Sequence, residues 1–306
     1  MSTLSGEGLV QRYGDLVAVD GLSITASPGS VLALLGPNGA GKTTTLAMLA
    51  GTTRPDGGRV CWDGRSADPQ FLRRGVGLAP QELQLWGLLT CAEQLRFLAE
   101  LAGVSGREAS RRSGDLLERL GLADRAGVQA RRLSGGMQRR LNLALALVSD
   151  PPAVVLDEPG AGLDPQSRVL VRDLIAELAA DKVVIVTSHD LAEIERLADR
   201  IVIIDHGRVL AEGTETELQA AHGTGTAVTF VTGATSAAVL AEALGRVPGT
   251  VVVAGTEVEC VLAAGTPLGP ALAAAAAAGV PLHSVHTREP SLEDVFLQLT
   301  GRSLRE

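Results

Sequence analysis

Aromatic side chains are nearly missing from this chain, which has one tyrosine, two tryptophans and four phenylalanines among 306 residues. Proteins that read single-stranded nucleic acid by stacking need more of them. The acidic balance, 35 Asp and Glu against 27 Lys and Arg, argues against the clustered basic face that a duplex requires. Nucleic acid is therefore not an expected partner. Cysteine is also scarce. Cys61, Cys91 and Cys260 lie far apart and form no C-x-x-C or Cys/His ligand spacing, which suits a reducing compartment. No stretch reaches the roughly 18 apolar residues needed to span a bilayer. Leu141 to Leu156 is broken by Asp150-Pro-Pro, and Leu272 to Val280 is short and alanine-rich. The N-terminus shows no signal-peptide apolar run, so any membrane role is expected to run through a partner.

Lysine is the scarcest charge. Arginine supplies nearly every cation, and the two lysines are Lys42 and Lys182. Lys42 sits in Gly36-Pro37-Asn38-Gly39-Ala40-Gly41-Lys42-Thr43, which fits G-x-x-x-x-G-K-[ST] at every fixed position. A strand-like run, Val31 to Leu35, precedes it, and a helix-like run from Thr44 to Ala50 follows. Strand, glycine loop and helix together make a phosphate site. Backbone N–H groups curl inward at the positive end of a helix dipole, Lys42 faces the outer phosphates and the Thr43 hydroxyl can ligate Mg²⁺. A forked guanidinium would not fit a loop built round a compact ammonium. A nucleoside triphosphate is the expected ligand.

Residues 1 to about 35 read as short strands with turns at Tyr13-Gly-Asp, Val19-Asp-Gly and Ser27-Pro-Gly, an antiparallel sheet leading into the phosphate loop. Arg59 to Trp62 and Val76 to Ala79 are further strands. From Thr90 to Leu122 the apolar period is helical, with stops at Gly103 and Gly121, and another helix is expected from Ser134 to Ser149. Strands at 153–156, 183–187 and 200–204 then alternate with helices at 166–180 and 191–198, which indicates a parallel sheet covered on both faces. A hairpin at Asp205-His-Gly-Arg208 and a helix from Glu215 to Ala221 close this unit. His222 to Thr226 reads as a linker. Beyond it the order strand, helix, strand, strand, helix, strand suggests a small ferredoxin-like domain, ended by a helix that Ser291 and Asp294 cap.

Val154-Val-Leu-Asp157-Glu158-Pro159 is an apolar strand ending in two carboxylates. Asp157 at its tip can hold Mg²⁺ beside the phosphate loop, and Glu158 is placed to activate the attacking water. Two acids at a strand end can also simply cap the next helix. Leu133-Ser134-Gly135-Gly136-Met137-Gln138 opens a helix with a second anion-binding nest, made of a hydroxyl and two glycine amides.

These segments resemble the ATP-binding subunits of ABC transporters, whose hallmark is L-S-G-G-Q; Met137 stands where the glutamine usually is, and Gln138 follows. The resemblance covers residues 1 to about 220. It implies an α/β P-loop NTPase fold with an antiparallel β subdomain, a helical subdomain at about 82–150, an ATP-binding domain over 1–222 and an accessory α+β domain over 227–306. It also implies ATP and Mg²⁺ as cofactors, and head-to-tail dimers that sandwich ATP between one copy's Lys42 loop, extending to Thr44, and the other's Ser134 loop. Further roles are carried over by resemblance. Tyr13, with Val19 nearby, stacks on adenine; Gln81 touches Mg²⁺ and the attacking water; Asp164, in Leu163-Asp164-Pro165, meets the opposite subunit; His189, in Thr187-Ser188-His189-Asp190, senses the γ-phosphate. Gly160 replaces a more usual threonine.

The ending Arg288-Glu-Pro-Ser291-Leu-Glu-Asp-Val-Phe296-Leu-Gln-Leu-Thr-Gly-Arg302 is similar to that of ATPases serving ABC-2 type exporters, including the daunorubicin-resistance type. The resemblance implies an ATPase subunit at the cytoplasmic face of the membrane. It would work with an ABC-2 type permease and with a second copy of itself or a paralogous ATPase. The rival is a soluble ABC-type ATPase of the translation or DNA-repair kind. Such proteins carry two ATPase domains in one chain or long heptad coils, and the roughly fifty residues between Gln81 and Leu133 are too few for a coil.

Overall fold

Two long antiparallel strands, β1 (Leu4–Tyr13) and β2 (Leu16–Ala26), open the chain. The turn expected at Val19-Asp20-Gly21 is instead a bulge inside β2: Leu9 pairs with Leu22 and Val10 with Asp20, leaving Gly21 unpaired at φ +74°. A glycine in the left-handed region reads in sequence like a turn, yet it also lets a strand carry one extra residue. The structure is a computed structural model that describes residues 3–222, 225–263, 265–289 and 291–301.

The first unit spans 3–213 of the described residues. After β2 come β3 (Val31–Leu35), α1 (Lys42–Leu49), β4 (Gly57–Trp62) and the two-residue β5 (Arg65–Ser66). The last two complete a sheet ordered β2-β1-β4-β5. Next are α2 (Pro69–Gly75), β6 (Val76–Ala79), α3 (Cys91–Leu101), α4 (Gly106–Arg119) and α5 (Gly135–Leu147). The unit finishes with β7 (Ala153–Asp157), α6 (Pro165–Ala179), β8 (Val183–Thr187), α7 (Leu191–Leu197), β9 (Arg200–Asp205) and β10 (Arg208–Gly213). Helix α2 has no counterpart in the sequence reading. Only Leu72 is buried in its seven residues, so it lacks an apolar stripe; Asp68 starts it by accepting the Phe71 N–H at 2.8 Å, with Pro69 in the first turn.

The central sheet is ordered β10-β9-β3-β8-β7-β6, with β10 antiparallel and the rest parallel. Every residue of β3, β7 and β8 is buried. That follows from runs of Val, Leu, Ile and Ala, interrupted only by Asp157 and Thr187 at the ends of β7 and β8, which only a sheet covered on both faces can hide. Burying a Leu or Ile side chain contributes about 1.5–3 kcal/mol, so these runs anchor the fold. The parallel order brings the ends of β3, β6, β7 and β8 to one edge, the place where open α/β sheets bind ligands.

The second unit begins at Thr214. It contains α8 (Glu215–His222), β11 (Ala227–Thr232), α9 (Ala237–Leu244), β12 (Gly249–Ala254), β13 (Glu257–Leu262), α10 (Gly269–Ala277), β14 (Leu282–Arg288) and α11 (Leu292–Thr300). Its four strands form an antiparallel sheet ordered β12-β13-β11-β14. Val228, Phe230, Val258 and Cys260 form its core with Leu240 and Leu244 of α9 and Ala271 and Ala275 of α10. Helix α8 packs on α11. The capping box of α11 has both bonds, Ser291 N–H to Asp294 Oδ2 at 2.8 Å and Asp294 N–H to Ser291 Oγ at 3.3 Å. Two residues of the linker reading, Gly223 and Thr224, lie outside the described residues, as do Pro290 and Arg302 of the C-terminal motif.

Candidate functional site

The loop from Gly36 to Gly41 is shaped by close backbone approaches. A Cβ at Gly36 would sit 2.5 Å from the Ile204 carbonyl oxygen, and one at Gly41 would overlap that of Ala18. Gly41 caps α1 at φ +101°. Loop and neighbours are tied together by Ala40 N–H to Pro37 O at 3.1 Å and Gly207 N–H to Ala40 O at 3.0 Å. Lys42 Nζ donates to Gly36 O at 2.6 Å and Pro37 O at 3.1 Å. Burial lowers its pKa from the usual lysine value, while Glu158 and Asp157 pull it back up.

A cavity of about 320 Å³ opens beside this loop. Tyr13, Leu16 and Ala18 form one wall, residues 38–44 another, and Gln81, Asp157 and Glu158 the remainder. Tyr13 is 53% exposed, free to stack on a flat ring. Val19 does not line the cavity; it is fully buried in the core beneath Gly41.

Asp157, 4% exposed at the tip of β7, accepts two hydroxyl donors: Thr43 Oγ1 to Oδ2 at 2.8 Å and Thr187 Oγ1 to Oδ1 at 2.5 Å. Hydroxyl, carboxylate and the Gln81 amide oxygen are hard donors, and a set with so few protein ligands fits Mg²⁺ shared with phosphates and water. Glu158 lies one residue beyond the strand at φ +51°, a left-handed turn that costs a residue with a Cβ about 1–2 kcal/mol. Asp63, Asp150 and His206 share that region away from the cavity, so it is the neighbours of Glu158, and not its φ alone, that point to chemistry. Gln81 Nε2 donates to Glu158 Oε2 at 3.2 Å, and His189 Nδ1 stands 3.1 Å from the same oxygen. Three segments distant in sequence thus meet on one carboxylate oxygen.

Gly36 and Pro37 lie behind the cavity, where their carbonyls hold Lys42. Ser134, Gly135, Gly136 and Gln138 do not line it. Ser134 caps α5 by accepting the Met137 N–H at 3.3 Å, and it is exposed together with Gly135. Gln138 Nε2 donates to Ala130 O at 3.0 Å. Asp164 caps α6, and its bonds from the Ser167 hydroxyl and N–H hold its pKa below the ordinary carboxylate range.

A family model described as "ABC transporter" matches residues 19–161. The linearmycin resistance ATP-binding protein LnrL of Bacillus subtilis (strain 168) is 37% identical over 311 residues, covering 99% of this chain and 100% of the relative. The chain belongs to the ABC transporter family. As an ABC ATPase it is similar too to the daunorubicin resistance ATP-binding protein DrrA3 of Streptomyces coeruleorubidus, 38% identical over 311 residues, 99% of this chain and 98% of that one. A solved dimeric bacterial ABC transporter cassette superposes with a TM-score of 0.64 at 26% identity, covering 69% of this chain and 98% of that chain. This ABC ATPase is the ATP-binding and ATP-hydrolysing subunit of a transporter.

Several contacts of the ABC ATPase escape sequence reasoning. Arg139 Nη1 donates to Gln81 O at 2.6 Å, and Asn142 Nδ2 to Pro80 O at 3.1 Å. One face of α5, the helix that Ser134 opens, therefore holds the backbone that carries Gln81. Their spacing of one helical turn is the only signal in the sequence. Leu16 and Ala18 go unnoticed because apolar strand residues read as core. At Gly160 a Cβ would overlap only the Oε1 end of the Glu193 side chain, whose Oε2 accepts the Ser188 hydroxyl at 2.8 Å. That end is flexible and can turn aside, so Gly160→Ala is expected to change stability by less than about 0.5 kcal/mol, read as the urea midpoint. A clear fall in the midpoint would mean that the bond between Ser188 and Glu193 is lost.

Proposed function

We propose that this ABC ATPase energises export through a separate membrane permease, as one of two ATPase chains that jointly enclose each nucleotide. The observation carrying this reading is the position of the second anion nest. Ser134, Gly135 and Gly136 offer a hydroxyl and helix-terminal amides, yet they stand apart from the cavity that Lys42 serves, so a second chain is the natural source of the missing wall. Tyr13 stacks on the adenine, 38–44 cradles the phosphates, Glu158 takes the proton of the attacking water, and Gln81 and His189 hold Glu158 in place. Thr43, Asp157 and Gln81 would hold Mg²⁺, which supplies charge neutralisation on the phosphates when bound. Asp164 faces the opposite copy.

A groove of about 440 Å³ lined by Leu83, Leu85, Trp86 and Leu98 supports the permease as partner. Trp86, 44% exposed, stacks edge-on against Phe97 at 5.6 Å, an apolar patch suited to a partner's helix. Among the described residues no helix is long and apolar enough to cross a membrane, so we place the subunit at the cytoplasmic face through its partner. The ending from Arg288 to Arg302 favours an ABC-2 type permease, and the names of LnrL and DrrA3 favour an antibiotic or other hydrophobic cargo. We read the second unit, with its βαββαβ order, as a ferredoxin-like accessory domain.

Light scattering tests the shared site. Loaded with MgATP, the Glu158→Gln chain is expected to elute as a dimer, and adding Ser134→Arg to return it to monomer. A dimer that tolerates arginine at 134 overturns the reading.

A further inference from the structure

Thr187 ends β8 directly opposite Asp157 of β7 in the parallel register and is fully buried. Its hydroxyl has one proton to give, and gives it to Asp157 Oδ1 at 2.5 Å. Its oxygen then accepts the Glu158 N–H at 3.0 Å, with the Thr187 carbonyl 3.2 Å from the same nitrogen. One side chain thus touches the acid proposed for Mg²⁺ and the backbone of the acid proposed as base. Two residues further along, His189 meets the Glu158 side chain from the same strand end. The relative placing of Glu158 and His189 is therefore set through Thr187, at the one residue of this cluster with an unfavourable φ.

We propose that Thr187 is a positioning residue for hydrolysis: its hydroxyl locks the left-handed turn at Glu158, aims that carboxylate at the attacking water and fixes Asp157 at the same time. This rests on the reading of Glu158 as the base. Valine has the same shape and lacks the hydroxyl, so it leaves Glu158 N–H only the longer carbonyl contact and Asp157 Oδ1 without its donor. The resulting drift of Glu158 alters the reacting geometry, while the Thr43 hydroxyl still holds Asp157 Oδ2 at the phosphate loop.

The test uses the full chain, phosphate release for turnover and a fluorescent ATP analogue for binding. Thr187→Val is expected to lower kcat about 10- to 100-fold, the range that small misplacements of a catalytic group produce, with KM and analogue affinity within about threefold. Thr187→Ser, which restores the hydroxyl, is expected to recover kcat to within about threefold. Should the valine chain not fold, Thr187→Cys, whose thiol is a weak donor and acceptor, carries the same expectation of lost kcat at unchanged KM. Near-parental kcat in the valine or cysteine chain, with Glu158→Gln inactive, overturns the proposal and leaves the base reading standing. Equal losses of binding and turnover that serine does not repair also overturn it, because they indicate a structural role alone. An active Glu158→Gln removes the base reading and this proposal together.

Discussion

Glu158→Gln is expected to cut ATP turnover about 10²- to 10⁴-fold, the usual contribution of a general base, while ATP affinity changes by no more than about threefold. The geometry explains the split. Glutamine has the shape of glutamate, and its carbonyl oxygen can still accept from Gln81 Nε2 and His189, now 3.2 and 3.1 Å from Glu158 Oε2. The cluster therefore stays assembled, and the left-handed backbone at 158 is unaffected by a change at the end of the side chain. What disappears is the site proposed to receive the proton of the attacking water. Phosphate release and analogue binding measured on the same preparation separate the two. Turnover close to the parent's would remove Glu158 from the chemistry.

Lys42→Ala is expected to fail one step earlier, at binding. The ammonium is partly buried, held between the Gly36 and Pro37 carbonyls and within the field of Asp157 and Glu158. The outer phosphates would lose a charge-assisted partner worth about 1.5–3 kcal/mol, so ATP affinity is expected to fall by at least tenfold and turnover at ordinary nucleotide concentrations to disappear with it. Lys42→Arg should do little better, because a planar fork cannot make the compact contacts of an ammonium in this loop. Titration with a fluorescent ATP analogue decides the point; an arginine chain that binds as tightly as the parent would show that only charge is required.

Much of the site is legible in the sequence because its chemistry is written in short local strings. Gly36 to Thr43 spells the loop, an apolar run ending in Asp157 and Glu158 spells the acid pair, and Ser134 before two glycines spells a helix cap. The central sheet is similarly plain, since β3 is apolar throughout and β7 and β8 are apolar up to their last residues, Asp157 and Thr187. What stays hidden depends on pairs joined only by folding. Thr187 looks like any β-branched residue ending a strand until the register with Asp157 is known. Arg139 and Asn142 look like polar residues on a helix face, and their bonds to Gln81 O and Pro80 O need the turn after β6 in place. Gly160 reads as a departure from a family pattern, and its neighbour in space, the side-chain end of Glu193, comes from α7. The bulge at Gly21 and the short helix α2 were lost for a different cause: each is set by local backbone geometry with too few apolar positions to reveal a period.

The clasp on Lys42 has a consequence for refuelling. Its ammonium ties the first two carbonyls of the loop, at Gly36 and Pro37, to the start of α1, so the loop is braced from inside by the same side chain that is placed to meet phosphate. Loading then swaps one set of bonds for another, and only the difference appears as affinity. A net grip of that kind is smaller than the charge alone would give, which suits a motor that must also let its spent nucleotide go.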